Sequence, residues 1–331
     1  MRFGLFGGAQ AGSAASDAPG QGFHDYIAFN IEAEDLGYHS TFCVEHHFTG
    51  WGQISATLNL LTWLAARTRT LRVGTAVMVL PWHNPVLLAE QAATLDLLSG
   101  GRLDLGIGKG YRYNEFKGFG VPMEDAEARF DEALDVMLMA WRSRQPFSHR
   151  GRYWRFDDIL VEPPPAQVPH PALWMAAGSA ASIRRVAERG SNLLLDQFAP
   201  PGVIGERIAM FKAEVEARGR IFDPMSVAVA RDVYVATNEE DKKTALARAT
   251  QVRRRTVEVS RAPDHAGGSH ILAYTHDDAG NEAAVYGTPD EVAEKMDALR
   301  RAGVHYVLAS FGGDSRVSLR RFAREIAPAF V

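Results

Sequence analysis

"LRVGTAVMVLPWHNPVLLAEQAATLDLLSGGRLDLGIGKG", residues 71–110, alternates two kinds of apolar pattern. Residues 71–80 and 103–107 are too continuously apolar for strands that bury only one face, and between them 85–98 carries apolar side chains at helical spacing. Strand, helix, strand with both strands apolar throughout is the pattern of a parallel sheet covered by helices. The alternation repeats along the chain. Strands are expected at 2–6, 41–44, 71–80, 103–107, 173–177, 192–195, 226–236 and 304–310. Helices are expected at 23–36, 54–67, 85–98, 125–141, 182–189, 203–217, 239–259 and 319–327, with one more at 289–301 before the last strand. That extra helix is the best marked: Thr288 caps it, Pro289 fits its first turn, Glu291 stands three residues after the cap, and Gly303 stops it. Eight strand-helix units without a break in composition predict a (β/α)8 TIM barrel, α/β in class, as a single domain over residues 1–331. Two stretches fit no unit, about 144–171 and 261–286, and are read as insertion loops.

The chain has 331 residues, 46% hydrophobic and 23% charged, which is the make-up of an ordinary soluble globular protein. Thirty-six basic residues against 40 acidic ones give a net charge of -4, and the longest cationic run, Arg253 to Arg255, lies in a helical stretch; no nucleic-acid partner is expected. The single cysteine, Cys43, sits in an apolar strand as a buried thiol, which points to a reducing compartment. No signal-peptide core follows the N-terminus, and the longest apolar run, Val73 to Trp82, is far too short for a membrane span. A cytoplasmic protein with no membrane partner is expected.

Chemistry is expected where barrel strands end at their carboxyl side. Strand two runs into "FCVEHHFTGWG", residues 42–52, so Glu45, His46 and His47 stand at that face. Neighbouring residues on a strand point to opposite sides, so adjacent histidines do not converge on one ion, and no metal is expected. A near-neutral histidine suits proton transfer, while two capping or core histidines are the alternative. Ala76 and Val77 read locally as buried strand. "GIGKG", 106–110, is a tight turn that lacks both the dinucleotide and the triphosphate-loop spacings. In "AAGSAAS", 176–182, Ser179 and Ser182 are either helix caps or, with the helix amides, an anion site that Gly178 lets a ligand approach. The aromatic residues Phe6, Trp51, Trp82, Trp174 and Phe198 suggest an apolar substrate. Helices two and three carry more apolar surface (Ile54, Leu58, Leu61, Leu64; Val86, Ala89, Ala93) than one buried stripe needs, which suggests a dimer.

"EHHFTGWG", the 69–110 stretch, "FKGFGV", "AAGSAASIRRVAERG" and "YGTPDEVAEKMDALRRAGVHYVLASFG", in this order, resemble the bacterial luciferase-like flavin-dependent monooxygenase family over most of the chain. The resemblance implies the barrel fold, reduced FMN as cofactor or the deazaflavin F420 in a sister branch, and O2 reacting at flavin carbon C4a. It further implies a separate flavin reductase, a homodimer, and a small organic substrate such as an aldehyde, ketone or terpene. His46 falls on the family's active-site histidine, with Glu45 and His47 shaping the pocket. Ala76–Val77 matches a cis non-prolyl pair below the flavin, Lys109 stands where an arginine usually meets the FMN phosphate, and Glu115 matches an acidic position near the flavin, a solvated loop carboxylate being the alternative. Gly178, Ser179 and Ser182 match a phosphate site. Gly108 and Gly178 depart from luciferase itself, so light emission is not implied. The 261–286 stretch corresponds to a mobile family segment, a candidate lid. An F420-dependent oxidoreductase and a non-catalytic flavin-binding subunit are the alternatives.

Overall fold

The computed structural model describes residues 1–13, 17–260, 273–275, 281–312 and 316–331. Eight parallel strands close on themselves: β1 (Arg2–Gly7), β2 (Ser40–Cys43), β3 (Arg72–Thr75, resumed at Met78–Val79), β4 (Leu103–Gly108), β5 (Ala172–Ala176), β6 (Asn192–Leu195), β7 (Val227–Val235) and β8 (Tyr306–Phe311). Each pairs with the next, and β8 returns to β1 with Arg2 opposite Tyr306 and Leu5 opposite Ala309. The continuously apolar runs become strands because both faces are covered, one by the barrel interior and one by helices. β4 is buried from end to end.

The outer layer comprises α1 (Gln21–Asp35), α2 (Thr57–Arg67), α3 (Pro85–Leu98), α5 (Ala126–Arg142), α6 (Ala180–Arg189), α7 (Pro201–Ala217), α8 (Glu239–Ser260), α9 (Pro289–Arg301) and α10 (Arg316–Arg321), with the short α4 (Tyr113–Phe119) after β4. The expected Thr288–Glu291 capping box is formed. Arg102 locks the 57–108 stretch together: its guanidinium donates to Ala65 O at the end of α2, Leu71 O before β3 and Ser99 O after α3. The Ala65 and Ser99 carbonyls are ones that a helix end otherwise leaves unpaired.

The amino ends of the strands are sealed. Inside the barrel Arg72 forks onto Asp104 at 2.7 and 2.9 Å, Trp174 Nε1 donates to the same carboxylate at 3.2 Å, and Arg2 lies over the Tyr306 ring. Above this polar base Phe42, Trp174, Leu194, Ala228 and Leu308 fill the interior. Trp174 and Phe198, read from sequence as pocket aromatics, are both buried, Trp174 in this packing.

Four features depart from the sequence-based expectations. The single strand expected at 71–80 is interrupted at Ala76–Val77, whose peptide bond is cis, as the family resemblance implied. α4 was not expected, because seven residues are too short to show helical periodicity. The 144–171 stretch is not all loop: Phe147–Arg150 and Arg155–Ile159 form an antiparallel hairpin hung on Glu132 of α5, which accepts the Tyr153 and Trp154 amides. The helix expected at 319–327 is α-helical over Arg316–Arg321 and then changes pitch, to a π-helix over Phe322–Ile326 and a 3-10 turn over Ala327–Ala329. Most of the 261–286 stretch lies outside the described residues, but its end, Val285–Gly287, pairs in parallel with β7. Of the surface thought to serve a dimer, Leu58, Leu61, Leu64, Ala89 and Ala93 pack into the chain's own core; Trp63, Leu87, Leu97 and Leu98 are the apolar side chains that α2 and α3 leave exposed.

The bend of β3 brings its backbone onto β4, where a Cβ on Gly106 would lie 1.7 Å from the Thr75 carbonyl oxygen. Backbone cannot swing aside as a side-chain tip does, so Gly106→Ala is expected to destabilise the fold by roughly 2–3 kcal/mol. Gly202→Ala in α7, where an added Cβ meets nothing within 4 Å, is expected to be neutral or slightly stabilising. Urea denaturation of the two variants checks the contrast.

Candidate active site

β2 delivers its chain to the open end of the barrel. There the 45–56 loop is tied down by Ile54 N to Ala9 O (2.9 Å) and His46 N to Ile54 O (3.3 Å). Glu45, 2% exposed, accepts four hydrogen bonds: Oε1 from His47 Nε2 (2.8 Å), His83 Nε2 (2.7 Å) and Trp82 Nε1 (3.2 Å), and Oε2 from Val79 N (2.8 Å). Burial by itself would raise its pKa, but these bonds, led by those from His47 and His83, outweigh it and hold the carboxyl down at about 2. Glu45 is therefore an ionised anchor that joins the loop after β2 to the segment after β3. Its oxygens are engaged rather than turned toward a ligand.

His46 does not share these partners and bonds instead to α4. Its Nδ1 lies 3.0 Å from Glu115 Oε1, and the same oxygen accepts the His47 amide at 2.9 Å. Glu115 is 2% exposed in the first turn of α4, so it is neither solvated nor on a loop. Burial lowers the His46 pKa more than the Glu115 bond raises it, and the Arg112 guanidinium lowers it further. The ring is thus neutral near pH 7. With Nδ1–H donated to the carboxylate, Nε2 keeps its lone pair, and no described residue bonds to it. His46 and His47 line a cavity of about 220 Å³ together with Phe48, Thr49, Gly52 and Gln53. An aromatic rim stands beside it: Trp82 stacks on Phe119 at 5.1 Å and 20°, and Phe119 meets the His47 and Phe48 rings at 4.7 and 5.0 Å.

Ser179 and Ser182 form a full capping box at the start of α6. Ser182 N donates to Ser179 Oγ at 3.2 Å, and Ser179 N donates to Ser182 Oγ at 3.1 Å. Half-buried Gly178 precedes them, and Ala176 and Ala180 on either side are exposed. Lys109, with its side chain 58% exposed, pairs with Glu127 at 3.3 Å, and Arg185 of α6 pairs with the same carboxylate. Glu127 thus links the turn after β4 to α6. Neither end of this linkage touches the His46–Glu115 pair.

Partners missed in the sequence are His83 and Trp82 as donors to Glu45, and Arg112 beside His46. His83 carried a signal, since it follows the carboxyl end of β3 by only four residues. Arg112 carried none.

A closed parallel barrel that gathers its titratable groups at the carboxyl ends of its strands has the layout of a (β/α)8 protein with a ligand site at the mouth. Comparison with known proteins specifies the class. The chain belongs to the luciferase-like monooxygenase family, whose sequence model matches residues 1–306. It is 34% identical over 165 residues to uncharacterized protein y4vJ of Sinorhizobium fredii, a match covering 50% of this chain and 47% of that one. It is 27% identical over 264 residues to the FMNH(2)-dependent dimethylsulfone monooxygenase of Pseudomonas putida, covering 75% of this chain and 71% of the relative. The chain spans about half the length of the first curated relatives it matches. Among solved structures, monooxygenase RslO1 from Streptomyces bottropensis superposes with a TM-score of 0.84 at 26% identity, over 100% of both chains.

Because the Glu45 carboxyl titrates near 2 when folded and 4.5 when free, its contribution to stability is complete above pH 4.5 and lost as pH falls toward 2. That contribution is on the order of 3 kcal/mol. The gap in unfolding free energy between wild type and Glu45→Gln should therefore shrink by about that amount between pH 6 and pH 2. A gap independent of pH would contradict the assignment of Glu45 as a buried carboxylate.

Proposed function

We propose that this chain is a flavin-dependent monooxygenase that uses reduced FMN and O2 to oxidise a small, largely apolar organic substrate, with reduced flavin delivered by a separate reductase. The observation that carries the reading is His46: a neutral imidazole on the cavity wall, fixed through Nδ1 by buried Glu115 and left with Nε2 to take up or give back a proton. Family membership and the FMNH(2) dependence of the dimethylsulfone relative support the choice of cofactor.

The residues fit such a group. The α6 first turn offers amides and two hydroxyls to a phosphate oxygen beside Gly178, and Lys109 adds charge once it turns from Glu127. Lysine does so without the paired fork of an arginine. The cis Ala76–Val77 segment, half-buried at the barrel mouth and crowded against Gly108, would lie under the ring. The flavin, when bound, supplies the oxygen chemistry. The protein's part is to keep the Trp82–Phe119 rim dry around the reacting atoms, to hold the His46 tautomer through Glu115, and to move a proton at His46 Nε2. His47, bonded to Glu45, shapes the cavity floor. The candidate lid at 261–286 lies mostly outside the described residues.

The single-domain organisation, a cytoplasmic setting and a homodimer belong to the same proposal. Exposed Trp63, Leu87, Leu97 and Leu98 offer the apolar surface for the dimer, and sedimentation should return twice the chain mass.

His46→Ala is expected to leave FMN affinity within about threefold of wild type and to lower substrate-dependent O2 uptake by about a hundredfold or more. Uptake can be screened with aldehydes, ketones and terpenes in the presence of a flavin reductase. Unchanged uptake would remove His46 from the chemistry, and tighter binding of F420 than of FMN would replace the reading with an F420-dependent oxidoreductase.

A further inference from the structure

Arg112 is 3% exposed, yet no carboxylate among the described residues pairs with it. Its Nε donates to the Tyr111 hydroxyl at 3.3 Å, while its buried Nη1 has no hydrogen-bond partner among the described residues. Buried polar groups are ordinarily satisfied, and an exception calls for an explanation. Glu115, three residues on, does not supply one: it bonds to His46 and the His47 amide and forms no ion pair with Arg112.

The surroundings suit an anion. The Arg112 guanidinium lies 6.0 Å from the centroid of Trp51 and 5.6 Å from that of Tyr111, and Arg255 of α8 lies 5.4 Å from the same Trp51 ring. Two cations therefore share one indole without a described acidic partner, and each keeps hydrogen-bond donors for an oxyanion. Arg112 is also close enough to His46 to act on its charge. The α6 cradle is a separate place: Lys109 reaches it through Glu127 and Arg185, whereas Arg112 packs against the loop after β2 and is linked through Trp51 to α8.

We propose that Arg112 is a specificity-determining residue that binds an oxyanion carried by the substrate, a carboxylate foremost, with the substrate's apolar body lying along the aromatic wall beside His46. The proposal rests on the monooxygenase reading for the word substrate, and it narrows the substrate class from apolar compounds to apolar compounds with one acidic end. The other source of an oxyanion, the flavin phosphate, makes a different prediction.

The test is equilibrium binding to the full chain by calorimetry at low salt, with benzoate and its neutral isostere benzamide as probes, for wild type, Arg112→Gln and Arg112→Lys. Wild type should favour benzoate by about tenfold or more, the size expected of a charge-assisted hydrogen bond. R112Q should erase that preference, and R112K should retain part of it, with circular dichroism unchanged. No preference in wild type, or an equal preference in both variants, overturns the proposal. FMN and riboflavin are titrated in parallel: a tenfold loss for FMN alone in R112Q would assign Arg112 to the cofactor phosphate and overturn the substrate assignment. Because no turnover is read, an absence of O2 uptake would bear on the monooxygenase reading and not on this one.

Discussion

The site hangs on one buried charge. Glu45 draws donors from its own loop (His47) and from three residues at and beyond the end of β3 (Val79, Trp82 and His83). A carboxylate out of water is tolerated only where such bonds replace hydration, and here four donors converge on two oxygens. The loop after β2 and the segment after β3 are thereby held as one body. With Glu45 and His47 bonded to each other, His46 is left for Glu115, which meets it from α4.

The two carboxylates do different work through the same means. Glu45 is held ionised by donors that surround it, and it fixes the backbone. Glu115 meets one imidazole edge and one amide, and so sets which nitrogen of His46 carries the proton. Glu115 is positioned by α4, a helix of seven residues. Arg112 sits immediately before that helix, so the same short element carries the group that orients the histidine and a guanidinium that lowers its basicity.

Much of this was legible in the chain itself. Continuous apolar runs separated by helical ones marked all eight barrel strands, because burial on both faces leaves no room for alternation. His46 was legible by place, since the carboxyl end of a barrel strand is where ligands approach. What the sequence could not disclose were contacts between distant segments. Glu115 bonds to His46 across 69 positions, Glu132 organises a hairpin from about twenty positions away, and Lys109 meets an acidic partner instead of standing free. Sequence pattern reports which face of an element is buried and is silent on which side chain meets it there. The dimer surface shows the same limit: apolar excess on α2 and α3 was real, but the residues named for it were needed at home.

The sealed base has a consequence for traffic. With Arg72 locked onto Asp104 and Trp174 donating to the same carboxylate, the described residues close the barrel at the amino ends of its strands. What enters at the carboxyl ends finds no passage through that floor, so arrival and departure share the same face.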